Sequence, residues 1–97
     1  MKTKDTIQKL VEAESRPTKC HNRIEWRNAQ GQIHRLDGPA VECAGGDKVW
    51  FVNGKLHRID GPAMEWASGF NTWYVDDKRV PVNSQEEFVN YLLGIKI

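Results

Sequence analysis

The stretch His34-Arg35-Leu36-Asp37-Gly38-Pro39-Ala40-Val41-Glu42 returns 23 positions later as His57-Arg58-Ile59-Asp60-Gly61-Pro62-Ala63-Met64-Glu65. The likeness continues through Ala44/Ala67, Gly46/Gly69 and Trp50/Trp73, so that 10 of the 17 positions from His34 to Trp50 are identical at this offset. An earlier partial copy supplies Trp26, Gly31 and Ile33, with one extra residue before His34. A later, decayed copy supplies Trp73-Tyr74-Val75-Asp76-Asp77-Lys78 against Trp50-Phe51-Val52-Asn53-Gly54-Lys55, after which Val80-Pro81-Val82-Asn83 replaces the motif. Two full units flanked by partial ones, with departures at the ends, is the signature of a repeat array with capping segments.

Each unit reads as short strands joined by tight turns. Val49-Trp50-Phe51-Val52 is aromatic and β-branched, and Asn53-Gly54 is a strong hairpin signal. Lys55-Leu56-His57-Arg58 forms a brief return strand, and Asp60-Gly61-Pro62 breaks it: Pro lacks a donor and Gly admits an unusual φ. The chain re-enters as Ala63-Met64-Glu65-Trp66-Ala67, turns at Ser68-Gly69 and returns as Asn71-Thr72-Trp73-Tyr74-Val75. Turn signals at this spacing predict an antiparallel meander over residues 24–82. Stacked units would align Trp26, Trp50 and Trp73 in one row across the sheet.

Both ends predict helices. Ile7, Leu10, Val11 and Glu14 fall at i, i+3, i+4 and i+7, marking a helix over residues 1–15 that Pro17 ends. Ser84-Gln85-Glu86-Glu87 is a capping box for a second helix over 84–95, with Phe88, Tyr91, Leu92 and Ile95 as its buried face. The helices would cover an apolar face or an open edge of the sheet. The expected fold is α+β, mainly β: one domain over residues 1–97, an antiparallel sheet of ~23-residue hairpin units between two helices.

Composition narrows the function. With 14 Lys+Arg against 13 Asp+Glu, the formal charge is +1, which argues against binding driven by bulk attraction to nucleic-acid phosphates. No apolar run reaches the ~18 residues of a membrane span. Met1-Lys2-Thr3-Lys4-Asp5 leads into a polar helical pattern and not an apolar signal core, so a cytoplasmic protein is expected. Cys20 and Cys43 read as free thiols in such a compartment. A zinc site drawing on Cys20, His21, His34, Cys43 and His57 lacks any anchoring C-x-x-C or H-x-x-x-H pair, and no metal or cofactor is assigned. No P-loop, nucleophile elbow, HExxH or dinucleotide fingerprint is present, so a non-enzymatic protein is expected.

The units resemble a repeat family found in large tailed bacteriophages and some bacteria, whose pattern runs W-y-x-N-G-k-x-H-R-x-D-G-P-A-x-E. This chain supplies Trp50, Asn53, Gly54, Lys55, His57, Arg58, Asp60, Gly61, Pro62, Ala63 and Glu65. The likeness covers about residues 26–92, includes the helical ending at 80–88, and is distantly similar in style to MORN repeats. The resemblance implies a β-repeat sheet and a phage or mobile-element source, and no particular activity. Small proteins of such a source are often inhibitors of host defence or host enzymes.

His34/His57, Arg35/Arg58 and Asp37/Asp60 look like a catalytic or ligand set until their duplication is weighed. A catalytic centre needs one arrangement in one place; a motif copied in every unit solves a folding problem. In that reading Asp accepts backbone N–H bonds across its Gly-Pro turn (Asp37-Gly38-Pro39 and Asp60-Gly61-Pro62). Arg pairs with Asp or Glu of the next unit, and His packs on a Trp while donating one N–H. Asn53-Gly54 belongs to the same structural set. The functional alternative makes His34, Arg35, His57 and Arg58 an electropositive ladder for a nucleotide-like anion. Trp50, Trp73 and Tyr74 are candidate interface anchors. The expected function is a binding protein that occludes a site on a host protein; alternatives are a small-anion sequestering protein and a self-assembling structural protein using open strand edges.

Overall fold

The computed structural model describes residues 15–20 and 22–94; the expected N-terminal helix over 1–15 lies almost entirely outside them. The described chain is mainly antiparallel β with one short helix. Seven strands form one sheet in the order β1 (Arg16–Cys20), β2 (Arg23–Arg27), β3 (Val41–Cys43), β4 (Lys48–Val49), β7 (Met64–Glu65), β8 (Asn71–Val75) and β9 (Lys78–Val80). A separate hairpin is made by β5 (Phe51–Val52) and β6 (Lys55–Leu56), and α1 (Gln85–Leu92) closes the described chain.

The sheet starts earlier than the sequence reading placed it. Pro17 belongs to β1 and ends no helix that the described residues contain. Its missing N–H is tolerated because, among the described residues, β1 pairs on one side only, with β2. The expected continuous strand over 49–52 is also split: Trp50 stands between β4 in the large sheet and β5 in the hairpin. Trp50 N–H donates to the Ala63 carbonyl at 2.8 Å, as Trp26 N–H donates to the Ala40 carbonyl at 2.8 Å. Trp50 thus marks the point where the chain leaves the large sheet, whereas Trp26 remains within β2. The tryptophans do not form a ladder row; Trp26 pairs with Pro17 and Trp73 with Val80.

Turn chemistry accounts for the β5–β6 hairpin. Asn53 (φ 51°) and Gly54 (φ 80°) both lie in the left-handed region, the geometry of a two-residue type I′ turn. One unit later, Asp76 (φ 50°) and Asp77 (φ 67°) adopt the same conformation between β8 and β9 without a glycine. Asp77 is held by its neighbours: its N–H donates to the Leu56 carbonyl and its carboxylate accepts the Leu56 N–H, both at 2.8 Å.

Register sorts the side chains. Val41, Val49, Met64 and Thr72 are successive partners across β3, β4, β7 and β8. The adjacent row, pointing to the opposite face, is Glu42, Lys48, Glu65 and Asn71, with opposite charges side by side. Ala40 and Ala63 are fully buried where the chain re-enters the sheet. Cys20 and Cys43 flank Arg23 from the two neighbouring strands. Cys43 is a free thiol.

The described core is concentrated at the C-terminal end. Trp73, Val80 and Phe88 are buried together, with Val75 and Val82 against them. Ser84 caps α1 by accepting the Glu87 N–H, and Glu86 and Glu87 lie in the first turn, where the helix dipole favours them. The helix is shorter than 84–95, ending at Leu93 and Gly94. Of its expected buried face only Phe88 is buried; Tyr91 and Leu92 are exposed, and Ile95 lies outside the described residues.

Phe88→Ala is expected to lower unfolding free energy by about 3–5 kcal/mol in a denaturant titration, since its ring is fully buried against Trp73. Gly54→Ala is expected to cost about 1–2 kcal/mol through the left-handed backbone alone, because a Cβ there meets nothing closer than Gln32 Cβ at 3.7 Å. Replacing Gly54 by D-alanine restores stability if φ is the cause.

Candidate functional site

The two motif copies build the same cluster twice. Arg35 Cζ lies 3.9 Å from the centroid of Trp26, and Arg58 Cζ lies 3.8 Å from that of Trp50. From that stacked position Arg35 donates Nε–H to Asp37 at 3.0 Å and Nη1–H to the Pro39 carbonyl at 3.2 Å and to Glu42 at 3.4 Å. Arg58 donates Nε–H to Asp60 at 2.9 Å and Nη1–H to the Pro62 carbonyl at 3.1 Å and to Glu65 at 2.8 Å. The spacing of the motif follows from this geometry. Asp at two, the Pro carbonyl at four and Glu at seven positions after Arg are the points that one planar fork reaches as the chain curls around it.

Gly38 and Gly61 are required for space. Neither lies in the left-handed region, contrary to the expectation that glycine supplies an unusual φ there. A Cβ on Gly61 would stand 2.6 Å from Arg58 Cζ, and one on Gly38 would stand 3.0 Å from Arg35 Cζ. The guanidinium packs directly on the glycine.

The histidines link each motif to the next turn. His34 Nδ1 accepts the Asn53 N–H at 2.8 Å, and His57 Nδ1 accepts the Asp76 N–H at 3.2 Å. His34 is buried; His57 is half-buried and also faces the Asp76 carboxylate at 3.4 Å. Backbone bonds run alongside: Arg35 N–H to the Phe51 carbonyl and Arg58 N–H to the Tyr74 carbonyl. Three expected contacts are thereby replaced. Arg takes the place on Trp that His was expected to fill, Asp accepts from Arg where a backbone N–H was expected, and Arg pairs with the carboxylates of its own copy where the next unit was expected.

A cleft of about 620 Å³ opens between the two motif loops. Arg35, Leu36, Asp37 and Gly38 form one wall; Trp50, Val52 and residues 57–60 form the other. Leu36 (60% exposed) and Ile59 (61% exposed) stand at the variable position of the motif. Of the sequence-predicted site residues, the cleft gathers Arg35, His57, Arg58 and Trp50. His34 is buried and does not line it, Trp73 belongs to the core with Phe88 of α1, and Tyr74 is half-buried on β8.

Electrostatically the cleft does not favour an anion. Each arginine has two carboxylates within ion-pair distance, and its side chain is only 18% or 19% exposed. Among the described residues no three His, Cys, Asp or Glu side chains gather in a way that would hold a metal ion, and no helix is long and apolar enough to cross a membrane.

Two features escaped the sequence reading. The exposure of Leu36 and Ile59 was signalled only by theirs being the one position that differs between the two copies within the seven residues from His34 to Ala40. Arg23, Glu25 and Arg27, at alternate positions of β2, share one face; the buried Glu25 carboxylate is met by Arg23 at 2.6 Å and Arg27 at 2.7 Å. Comparison with protein-family models, curated proteins and solved structures found no match.

Gly61→Ala is expected to destabilise the fold by about 1–3 kcal/mol, because the new methyl collides with the Arg58 fork. In an Arg58→Ala background the same substitution is expected to cost less than about 0.5 kcal/mol. Equal costs in both backgrounds, measured by a double-mutant cycle of chemical denaturation, would separate the glycine from the arginine.

Proposed function

We propose that this chain is a non-enzymatic binding module built of ~23-residue β-hairpin units, of the phage type that residues 26–92 resemble, and that it works by covering a site on a host protein. The observation that carries this reading is the display of Leu36 and Ile59. Large aliphatic side chains left about three-fifths exposed at equivalent points of two rigid loops, facing a common cleft, forgo burial that folding would reward. The motif residues around them are engaged: arginine on tryptophan, aspartate on arginine, histidine on the next turn. A rigid display of this kind lowers the entropy lost on association and suits occlusion of a protein surface.

Catalysis has little support in the same geometry. The polar groups that would serve as acid, base or nucleophile are duplicated and already bonded to the scaffold. The small-anion reading is weakened by the doubly paired arginines.

The double variant Leu36→Ser/Ile59→Ser is expected to keep stability within about 1 kcal/mol of the parent, since both side chains are exposed in the folded state. With a photo-crosslinking residue at position 36 or 59, the parent is expected to capture one discrete host protein, competed by unlabelled parent but not by the double variant. Equal competition by the double variant, or capture only from a crosslinker at exposed Gln30, would reject the cleft as the binding surface.

A further inference from the structure

We infer that the cleft between the motif loops takes a protein segment in which a lysine or arginine is flanked by aliphatic side chains. The inference rests on the protein-binding reading above and adds the chemistry of the partner. Apolar complementarity comes from Leu36 and Ile59, with Trp50 and Val52 deeper in the wall. The charge comes from the rim. Arg35 and Arg58 lie largely covered, while the side chains of Asp37 (45% exposed), Asp60 (82%) and Asp76 (70%) reach outward.

The count of charges has one sign. Arg35 is met by Asp37 and Glu42, and Arg58 by Asp60 and Glu65, so each guanidinium is outnumbered by its carboxylates. Lys48, in register between Glu42 and Glu65, adds one cation to that face, and Asp76 beside His57 adds one more carboxylate. With Lys55, the register partner of Val52 in the cleft wall, four cations stand against five carboxylates around the cleft, on a chain whose overall formal charge is +1. An approaching ligand therefore meets aliphatic side chains and carboxylates before it meets any arginine. Oδ1 of Asp37 and of Asp60 is the oxygen that Arg engages, and Oδ2 of each carboxylate can accept from an ammonium or guanidinium. The aliphatic neighbours of that cation would rest on Leu36 and Ile59, partly desolvating the ion pair and lengthening its lifetime.

The test uses the full chain, isotopically labelled, and two capped probe peptides, Leu-Lys-Leu-Lys-Leu and Leu-Glu-Leu-Glu-Leu. The lysine peptide is expected to shift the amide signals of Leu36, Asp37, Ile59 and Asp60. Its affinity should be about tenfold above that of the glutamate peptide and should fall as salt rises. Asp60→Asn should weaken it about three- to fivefold. Asp76→Asn, which keeps a side chain that tolerates the left-handed turn and lies outside the arginine clusters, should weaken it by a similar factor if Asp60→Asn disturbs the fold. Equal or tighter binding of the glutamate peptide in the cleft would overturn the cationic partner while leaving the cleft as a binding surface. Lysine-peptide shifts confined to residues outside the cleft, or no shifts with either peptide, would overturn the inference itself; crosslinking from positions 36 and 59 still decides the binding-surface reading separately.

Discussion

An arginine held over a tryptophan ring is the constraint around which the described chain is arranged. The ring contact places the guanidinium, and its planar fork sets where the N–H groups point. The chain after each arginine must then bring an aspartate, a proline carbonyl and a glutamate to those points, with a glycine beneath the fork because no Cβ fits there. A lysine carries the same charge but presents no planar fork, so the cluster depends on shape as much as on charge. The arginine fork stabilises the turn that delivers Ala63 to its fully buried place and lets its carbonyl receive the Trp50 N–H. A polar cluster thus performs the organising task that a larger protein leaves to apolar packing, consistent with the few wholly buried apolar side chains among the described residues.

The third tryptophan shows how the series of motif copies ends. Pro81 stands 23 positions after Arg58, so Trp73 has no arginine to cover it. Phe88 of α1 packs against its ring instead, with centroids 6.3 Å apart, and Gln85 accepts the indole N–H at 2.9 Å. The two solutions differ in what they leave outside. An arginine clamp holds a loop that displays its variable side chain to solvent; a helix buries the tryptophan and presents its own outer face. The candidate cleft consequently lies between the two arginine-clamped loops.

Several elements were legible because their causes are local. Asn53-Gly54 specifies its own turn through left-handed φ values that few residues accept, and Ser84 specifies a helix start through one side-chain bond to Glu87 N–H. The duplication of residues 34–42 in 57–65 announced duplicated contacts, and Arg35 and Arg58 do meet equivalent partners at closely similar distances. Other features depended on distant residues. Pro17 sits in β1, a placement set by its pairing with Trp26 nine positions later and not by the local sequence. Histidine and arginine were exchanged in their expected relation to tryptophan, because adjacency in sequence does not say which of two neighbours folds back over a ring and which reaches forward to the next turn.

The amino-acid sequence by itself determined that this is a mainly β chain with a duplicated motif and a capped C-terminal helix, since turn propensity, capping and self-similarity act over a few residues. It also determined that the duplicated polar residues would meet a duplicated task. Only the tertiary structure decided what that task is, and which side chains are left to face outward. The reach of each arginine and the lack of room at each glycine involve residues within one motif copy, but which of them meet is set by how the chain curls in space; the cleft joins two loops 23 positions apart. The exposure of Leu36 and Ile59 is the residue of those decisions, visible once every neighbour has found its partner.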